Sequence, residues 1–363
     1  MTERQMLYGL SRLSFLTPNR FEAMLNTEGS IEGVYNIEEN KLLQYGFAET
    51  HVAKWKDIRH RQGQLSKSYH REVGQGIRFI SRIDEAFPEK LKPYPGCPIG
   101  LYVKGKLPDP KKPAVAMVGA RACSSYGRAI ANRFGRELAE AGVQVISGMA
   151  AGIDGICQQA ALSVGGESFG VLGCGVDVVY PPENHDLYRM LEENGGLISE
   201  YAPGRPPLSY QFPARNRIIS GLCDCLIVVE ARKKSGTLIT TDFALEQGKY
   251  IGAVPGRVGD SLSEGCNQLI QTGAFLIQNT EDILNILGIY SKTNEKIMKN
   301  PADSLASLEK TVYSCLGLCP KHLEEIVGEV MLPMSQVMEI LLTLEINGLV
   351  SRVGANEYVS KPE

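Results

Sequence analysis

From residue 113 onward the chain alternates short apolar runs, many of them β-branched, with stretches of helical spacing. Few folds accept that pattern. The runs are Ala114–Val118, Gln144–Ser147, Ser168–Leu172, Leu197–Ser199, Cys225–Val229, Tyr250–Val254 and Ala274–Ile277. Stretches such as Tyr126–Ala141 and Thr237–Gln247 lie between them and read as amphipathic helices. A helix between two strands carries the chain back across the sheet, so the strands it joins lie parallel. The run Leu226–Val229 is apolar at every position, as a strand covered on both faces requires. The expected fold class is α/β, with a doubly wound parallel sheet.

The flanking segments differ in texture. Residues 1–75 read as helical: Phe21, Met24 and Leu25 recur at helical spacing, and Thr17-Pro18 suits a helix start. Residues 83–105, rich in Pro and Gly, link this piece to the sheet and end in LYVKG, a short strand running into a turn. Residues 291–306 are polar and patternless, as a linker is. In the tail, Met334, Val337, Leu341 and Leu344 fall on one helical face. Two β-like runs then flank the turn residues Gly354 and Asn356. Helices followed by a small hairpin describe a winged helix. The expected organisation is a helical domain at 1–75, the sheet domain at 76–290, a linker at 291–306 and a winged helix at 307–363.

Composition excludes several classes. Hydrophobic residues make up 43% and charged residues 22% of the 363, ordinary for a soluble protein with a core. No apolar run approaches the roughly 18 residues that span a bilayer, and the first residues lack the blocks of a signal peptide. No membrane partner is expected. The nine cysteines are odd in number and form no paired CxxC motifs, which suits free thiols in a reducing cytoplasm rather than a zinc site. Net charge is −3 overall, and +3, −3 and −3 for residues 1–110, 111–290 and 291–363. A nucleic-acid ligand would therefore be held by a local field built by the fold.

The strand ends carry the chemistry, because ligands of open parallel sheets bind beyond the carboxyl ends of the strands. Those ends read Gly119-Ala120-Arg121, Ser147-Gly148-Met149-Ala150, Gly173-Cys174-Gly175 and Glu230-Ala231-Arg232-Lys233-Lys234-Ser235-Gly236-Thr237. Glycines admit a ligand to the backbone, helix starts offer N–H groups, and Arg121 and Lys234 add full charges. Phosphate fits such a rim. A dinucleotide does not, since Val178 stands where the third glycine of GxGxxG belongs. The Ser235-Gly236-Thr237 turn lacks the run and lysine of a Walker A loop, so no cofactor is expected. The stretch Phe212–Gly221 begins a helix and puts Arg215, Asn216 and Arg217 near its start, where arginines can grip phosphate and Asn can donate to it. The alternative for these arginines is pairing with Glu200 or Glu230. Asp154 reads as a helix-start residue, His185 as a surface residue and Trp55 as local core. Among Asp154, Asp177, Glu183, Glu200 and Glu230 no nucleophile–base pair emerges, so no catalytic residue is assigned.

The runs GARACSSYG, SGMAAGID, GCGVDVVYPPEN, ISEY, FPARNRIISGL, VVEARKKSGTLIT and SEGCNQLIQTGA, in that order over about residues 84 to 280, resemble the DNA-processing protein A (DprA, or Smf) family. The N-terminal piece is similar to its sterile-alpha-motif-like domain and the tail to its winged helix. The resemblance implies an extended Rossmann fold that forms a homodimer, binds single-stranded DNA and hands it to the RecA recombinase in natural transformation. It also implies roles. Arg121 would contact a backbone phosphate, and Ser147, Gly148 and Met149 would form the adjoining anion-binding loop. Arg215, Asn216 and Arg217 would line the groove, and Lys234, Ser235, Gly236 and Thr237 would close the phosphate pocket. The chain departs from the family pattern at Ala120, Gln158 and Phe87, where serine, histidine and tyrosine are usual. Two other readings stay open. One is a nucleotide-processing enzyme of the phosphoribohydrolase type, whose PGGxGTxxE motif is not reproduced here. The other is a pure interaction scaffold.

Overall fold

The computed structural model describes residues 1–289, 307–317 and 319–361; the linker expected at 291–306 lies outside them. Nine strands form the main sheet: β1 (Ile77–Ser81), β2 (Gly100–Gly105), β3 (Ala114–Val118), β4 (Gln144–Ser147), β5 (Ser168–Val171), β6 (Gly195–Ser199), β7 (Cys225–Val228), β8 (Tyr250–Ala253) and β9 (Phe275–Leu276). Their spatial order is β1-β2-β6-β5-β4-β3-β7-β8-β9. From β3 the chain winds outward through β4 and β5 to β6, then returns to lay β7, β8 and β9 on the other side. All pairs from β6 to β9 are parallel. The winding reverses between β3 and β7, and that reversal opens a crevice beyond the strand ends.

The central strands are buried on both faces because their residues alternate between two cores. Val115 and Met117 pack with Ile130, Phe134 and Leu138 of helix Ser125–Glu140 and with Cys157 of helix Ile153–Ser163. Ala114, Ala116 and Val118 face the other way, onto Ile218, Ile219 and Leu222 of helix Gln211–Leu222 and Ala244 of helix Gly236–Glu246. The helices that follow β3 and β7 thus leave to opposite faces, which is what parts the two loops at the crevice.

The sheet is mixed rather than wholly parallel. β2 runs antiparallel to β6, and β1, which the sequence pattern passes over, runs antiparallel to β2. These two strands give the N-terminal helices their seat. Tyr8 lies edge-on to Phe79 of β1 at 5.3 Å. The Tyr8 hydroxyl donates to buried Glu72 at 2.9 Å, and Arg12 donates to the same carboxylate at 2.8 Å. Thr17 caps helix Pro18–Glu28, and Trp55 is core, its Nε1 donating to the Tyr35 carbonyl at 3.2 Å.

The tail forms the expected winged helix: helices Ser307–Cys315, Leu323–Val330 and Met334–Ile346 with a three-stranded sheet of β10 (Lys321–His322), β11 (Val350–Gly354) and β12 (Glu357–Ser360). Val337, Leu341 and Leu344 are buried as the spacing predicts, but Met334 is 45% exposed and lies outside that core. All nine cysteines are free, six of them buried. Among the described residues, no single helix is long and apolar enough to cross a membrane.

Truncating Glu72→Ala strands the Tyr8 hydroxyl and Arg12 at the seam between the helices and the sheet. Urea unfolding should register a loss of about 2–3 kcal/mol. Unchanged stability would show that this buried carboxylate does not join the two.

Candidate nucleic-acid interface

The crevice is built by three strand exits and one helix. At the β3 exit, Arg121 is exposed, and its guanidinium carbon lies 5.9 Å from the centre of the Phe212 ring. At the β7 exit, Arg232, Lys233 and Lys234 are exposed, and Ser235 caps the start of helix Gly236–Glu246 by accepting from the Thr237 amide at 3.2 Å. That helix start opens onto the cavity, its Thr237 and Leu238 amides taken by Ser235 and its dipole left to favour an anion. Arg121, Asn216, Lys234, Ser235, Gly236 and Thr237 line one cavity of about 390 Å³, together with Asp154, Phe212 and Arg215.

A neighbouring helix start is closed. Buried Glu230 accepts from the Ser124 amide at 2.9 Å and from the Ser124 hydroxyl, at the head of helix Ser125–Glu140. A side chain at Gly127 would collide with this carboxylate, at 2.3 Å. The chain itself supplies the anion there.

Beneath the rim lies Arg215. It is 4% exposed and donates to the Gly148 carbonyl at 2.8 Å and to the Val171 carbonyl. Its counter-charge is buried Asp154, which accepts from the Gly148 amide at 3.1 Å. Burial lowers the Arg215 guanidinium to about 10, against the opposing pull of Asp154. It stays charged at neutral pH. Burial likewise raises Asp154, against Arg215. A Cβ on Gly148 would meet both Arg215 and Asp154 at 2.8 Å, so only glycine fits between them. Asp154 makes no cap for helix Ile153–Ser163; it holds the strand-end loop instead.

The loop after β4 is therefore rigid. Ser147 is buried and its hydroxyl donates to the Met117 carbonyl at 2.5 Å. Met149 is buried with φ +58°, a left-handed conformation that costs a non-glycine residue about 1–3 kcal/mol. Gln158 holds it by accepting the Met149 amide at 3.2 Å, and Asn184 by donating to the Met149 carbonyl at 2.9 Å. The Gly148 and Met149 amides are thus already engaged within the protein and the Ser147 and Met149 side chains are buried, although Gly148 and Met149 border a cavity of about 220 Å³.

Arg217 stands apart from the other residues singled out in the sequence. It forms a two-pronged pair with Glu200, at 2.8 and 2.6 Å, and donates to the Gly96 carbonyl at 2.9 Å. Residues two apart on a helix lie about 200° apart, so Arg215 and Arg217 cannot both face the crevice. Of the sequence alternatives, pairing with Glu200 is the one this arginine adopts.

A second cavity of about 220 Å³ adjoins the first and shares Arg121, Phe212 and Arg215 with it. Tyr180 and Phe212 border it, their ring centres 5.3 Å apart. Tyr180 and nearby Tyr210 are exposed. Exposed rings beside phosphate-sized cationic sites are the furniture of single-strand binders. Sequence reasoning gave these rings no role, although Phe212 opens the arginine-bearing stretch. No cluster of three or more His, Cys, Asp or Glu suited to a metal exists among the described residues.

Comparison with known proteins decides the family. A family model described as DNA recombination-mediator protein A matches residues 78–288, more than half the chain. The chain belongs to this family. A model of the DprA winged helix domain matches residues 298–356. DNA processing protein DprA of Streptococcus pneumoniae is 41% identical over 224 residues, covering 62% of this chain and 79% of that protein. The X-ray structure of the S. pneumoniae protein superposes with a TM-score of 0.68 at 34% identity, over 78% of this chain and 98% of the other. DNA processing protein A from Helicobacter pylori, solved to give insight into its single-stranded DNA binding mode, matches with a TM-score of 0.52 at 32% identity, over 59% and 97%. The recombination-mediator match falls on the whole sheet domain, and every crevice residue described above lies inside it.

Replacing Arg215→Ala leaves Asp154 buried without its counter-charge and two carbonyls unpaired. The expected cost is about 3–5 kcal/mol of folding stability, read by thermal or urea unfolding. A variant as stable as the parent would place Arg215 outside the framework.

Proposed function

We propose that this protein binds single-stranded DNA along the crevice between the β3 and β7 exits, as a homodimer, and passes it to the RecA recombinase during recombination and natural transformation. The observation that carries the reading is the convergence of Arg121, Lys234 and the open start of helix Gly236–Glu246 on one cavity. Phosphates enter there, with Asn216 and the Ser235 and Thr237 hydroxyls beside them. Bases splay toward the Tyr180 and Phe212 rings. Grip through phosphates and ring faces tolerates any sequence and weakens with salt. The H. pylori relative's single-stranded DNA binding mode supports the same reading.

A binding role suits the carboxylates better than catalysis does. Asp154 accepts the Gly148 amide in the field of Arg215, and Glu230 is bonded to Ser124, so neither is poised as a base for a reacting group. The edge strand β9 leaves Phe275 and Leu276 exposed with Tyr250 beside them, an apolar margin that supports pairing of two copies.

With about three phosphates neutralised per protomer, the log–log salt slope should be near −2. Arg121→Ala and Lys234→Ala should each weaken binding of a labelled oligonucleotide by about 1.5–3 kcal/mol, evenly across sequences, in fluorescence anisotropy. Tight binding retained in the double variant would defeat the assignment. Hand-over to RecA is read separately, as faster recombinase filament assembly on coated DNA when the protein is added.

A further inference from the structure

The winged helix carries a surface at odds with its usual task. In this architecture the helix before the hairpin is the one that enters a DNA groove. Here that helix is Met334–Ile346. Its inner face, Val337, Ile340, Leu341 and Leu344, is buried in the domain's own core. Its outer face carries Met334, Met338, Leu342 and Ile346, exposed by 45, 49, 58 and 77%. Residues four apart advance about 40° around a helix, so these side chains make one continuous apolar stripe. Met331, 89% exposed in the preceding turn, extends it.

Charge decides what can cover the stripe. Helices Leu323–Val330 and Met334–Ile346 contain five carboxylates, Glu324, Glu325, Glu329, Glu339 and Glu345, and not one Lys or Arg, with Glu329 paired to Lys321 at 2.7 Å. Exposed Glu339 and half-buried Glu345 border the stripe. A helix that reads base edges presents Arg, Lys, Asn or Gln; here the exposed positions are Met334, Ser335, Met338, Glu339, Leu342 and Ile346, and the one residue of those four types, Gln336, is half-buried. Phosphates would meet like charge there, and so would an anionic bilayer. A second copy laid face to face would set Glu339 and Glu345 against their own counterparts.

We propose that the outer face of helix Met334–Ile346 docks a basic amphipathic helix of a partner protein, whose apolar anchors cover the stripe and whose Lys and Arg side chains meet Glu339 and Glu345. Flexible methionine side chains suit such a surface, because they repack around whatever anchors they meet. The helix-in-groove mode reads anchors at three- and four-residue spacing, the spacing displayed here. This surface is separate from the single-strand crevice and its test stands independently.

The test uses the full chain and two synthetic helical peptides with leucines along one face, one flanked by lysines and the other by glutamates. Fluorescence anisotropy should show the lysine peptide binding at least about tenfold more tightly than the glutamate peptide. Met338→Lys with Leu342→Lys should lose at least about tenfold of that affinity, and Glu339→Lys with Glu345→Lys should invert the order of the two peptides. Thermal melting and single-stranded DNA affinity, measured on the same samples, should stay at parent values, since both pairs of substitutions are on the surface and away from the crevice. Equal affinity for the two peptides, or lysine-peptide binding unaffected by Leu342→Lys, overturns the proposal. Binding of a duplex oligonucleotide, of anionic vesicles or of a second copy that disappears in Leu342→Lys also overturns it, by assigning the stripe to a different occupant.

Discussion

One buried cation organises the strand ends. Arg215 reaches from helix Gln211–Leu222 to the carbonyls of Gly148 after β4 and Val171 at the end of β5, and Asp154 closes the circuit from helix Ile153–Ser163. Two strand exits and two helix starts are thereby fixed to one another by largely buried, charge-assisted hydrogen bonds. Such bonds are strong because their alternative, an unpaired buried charge, is so unfavourable. The β4 and β5 side of the crevice is consequently preformed, and the entropy of ordering its backbone is met on folding.

Two kinds of arginine therefore share the site. Arg121 is exposed and free to reach a phosphate, while Arg215 keeps its charge near the same cavity and its hydrogen bonds inside the protein. The first is exposed at the cavity's edge. The second shapes the cavity and adds a field from below, partly cancelled by Asp154. A chain of net negative charge can hold local positive charge at this cavity because two of its acids are turned inward, Asp154 toward Arg215 and Glu230 onto Ser124, while exposed Glu183 borders the second cavity.

Much of the fold was legible because hydrophobic period is a strong signal. β3 and β4 fall where the apolar runs place them, and β5 to β9 differ only by a few terminal residues. β1 escaped notice because Ile77–Ser81 directly follows a helix and carries two polar residues, and its antiparallel pairing with β2 depends on contacts with distant Tyr8. At the site, spacing placed the glycines, Arg121 and Lys234 at strand exits but could not tell a side chain facing the cavity from one facing the core. Ser147 and Met149 sit within a residue or two of a buried strand and turn inward. Helical geometry did hold the answer for Arg215 and Arg217, since two residues of separation point them apart. Gln158 and Asn184 are beyond any local pattern; their bonds to Met149 join residues nine and thirty-five positions away.

Glu230 has a consequence of its own. A helix start is a receptor for anions, and at Ser125 the occupant is tethered to the same chain, so its effective concentration does not fall when solution ions are diluted or exchanged. Salt that would screen an anion at Lys234 and Ser235 leaves the neighbouring start occupied. The two helix starts thus obey different mass-action laws, one set by solution and one by sequence. Loss of an anion from solution would then empty a single socket, while the helix headed by Ser124 keeps its own tethered partner.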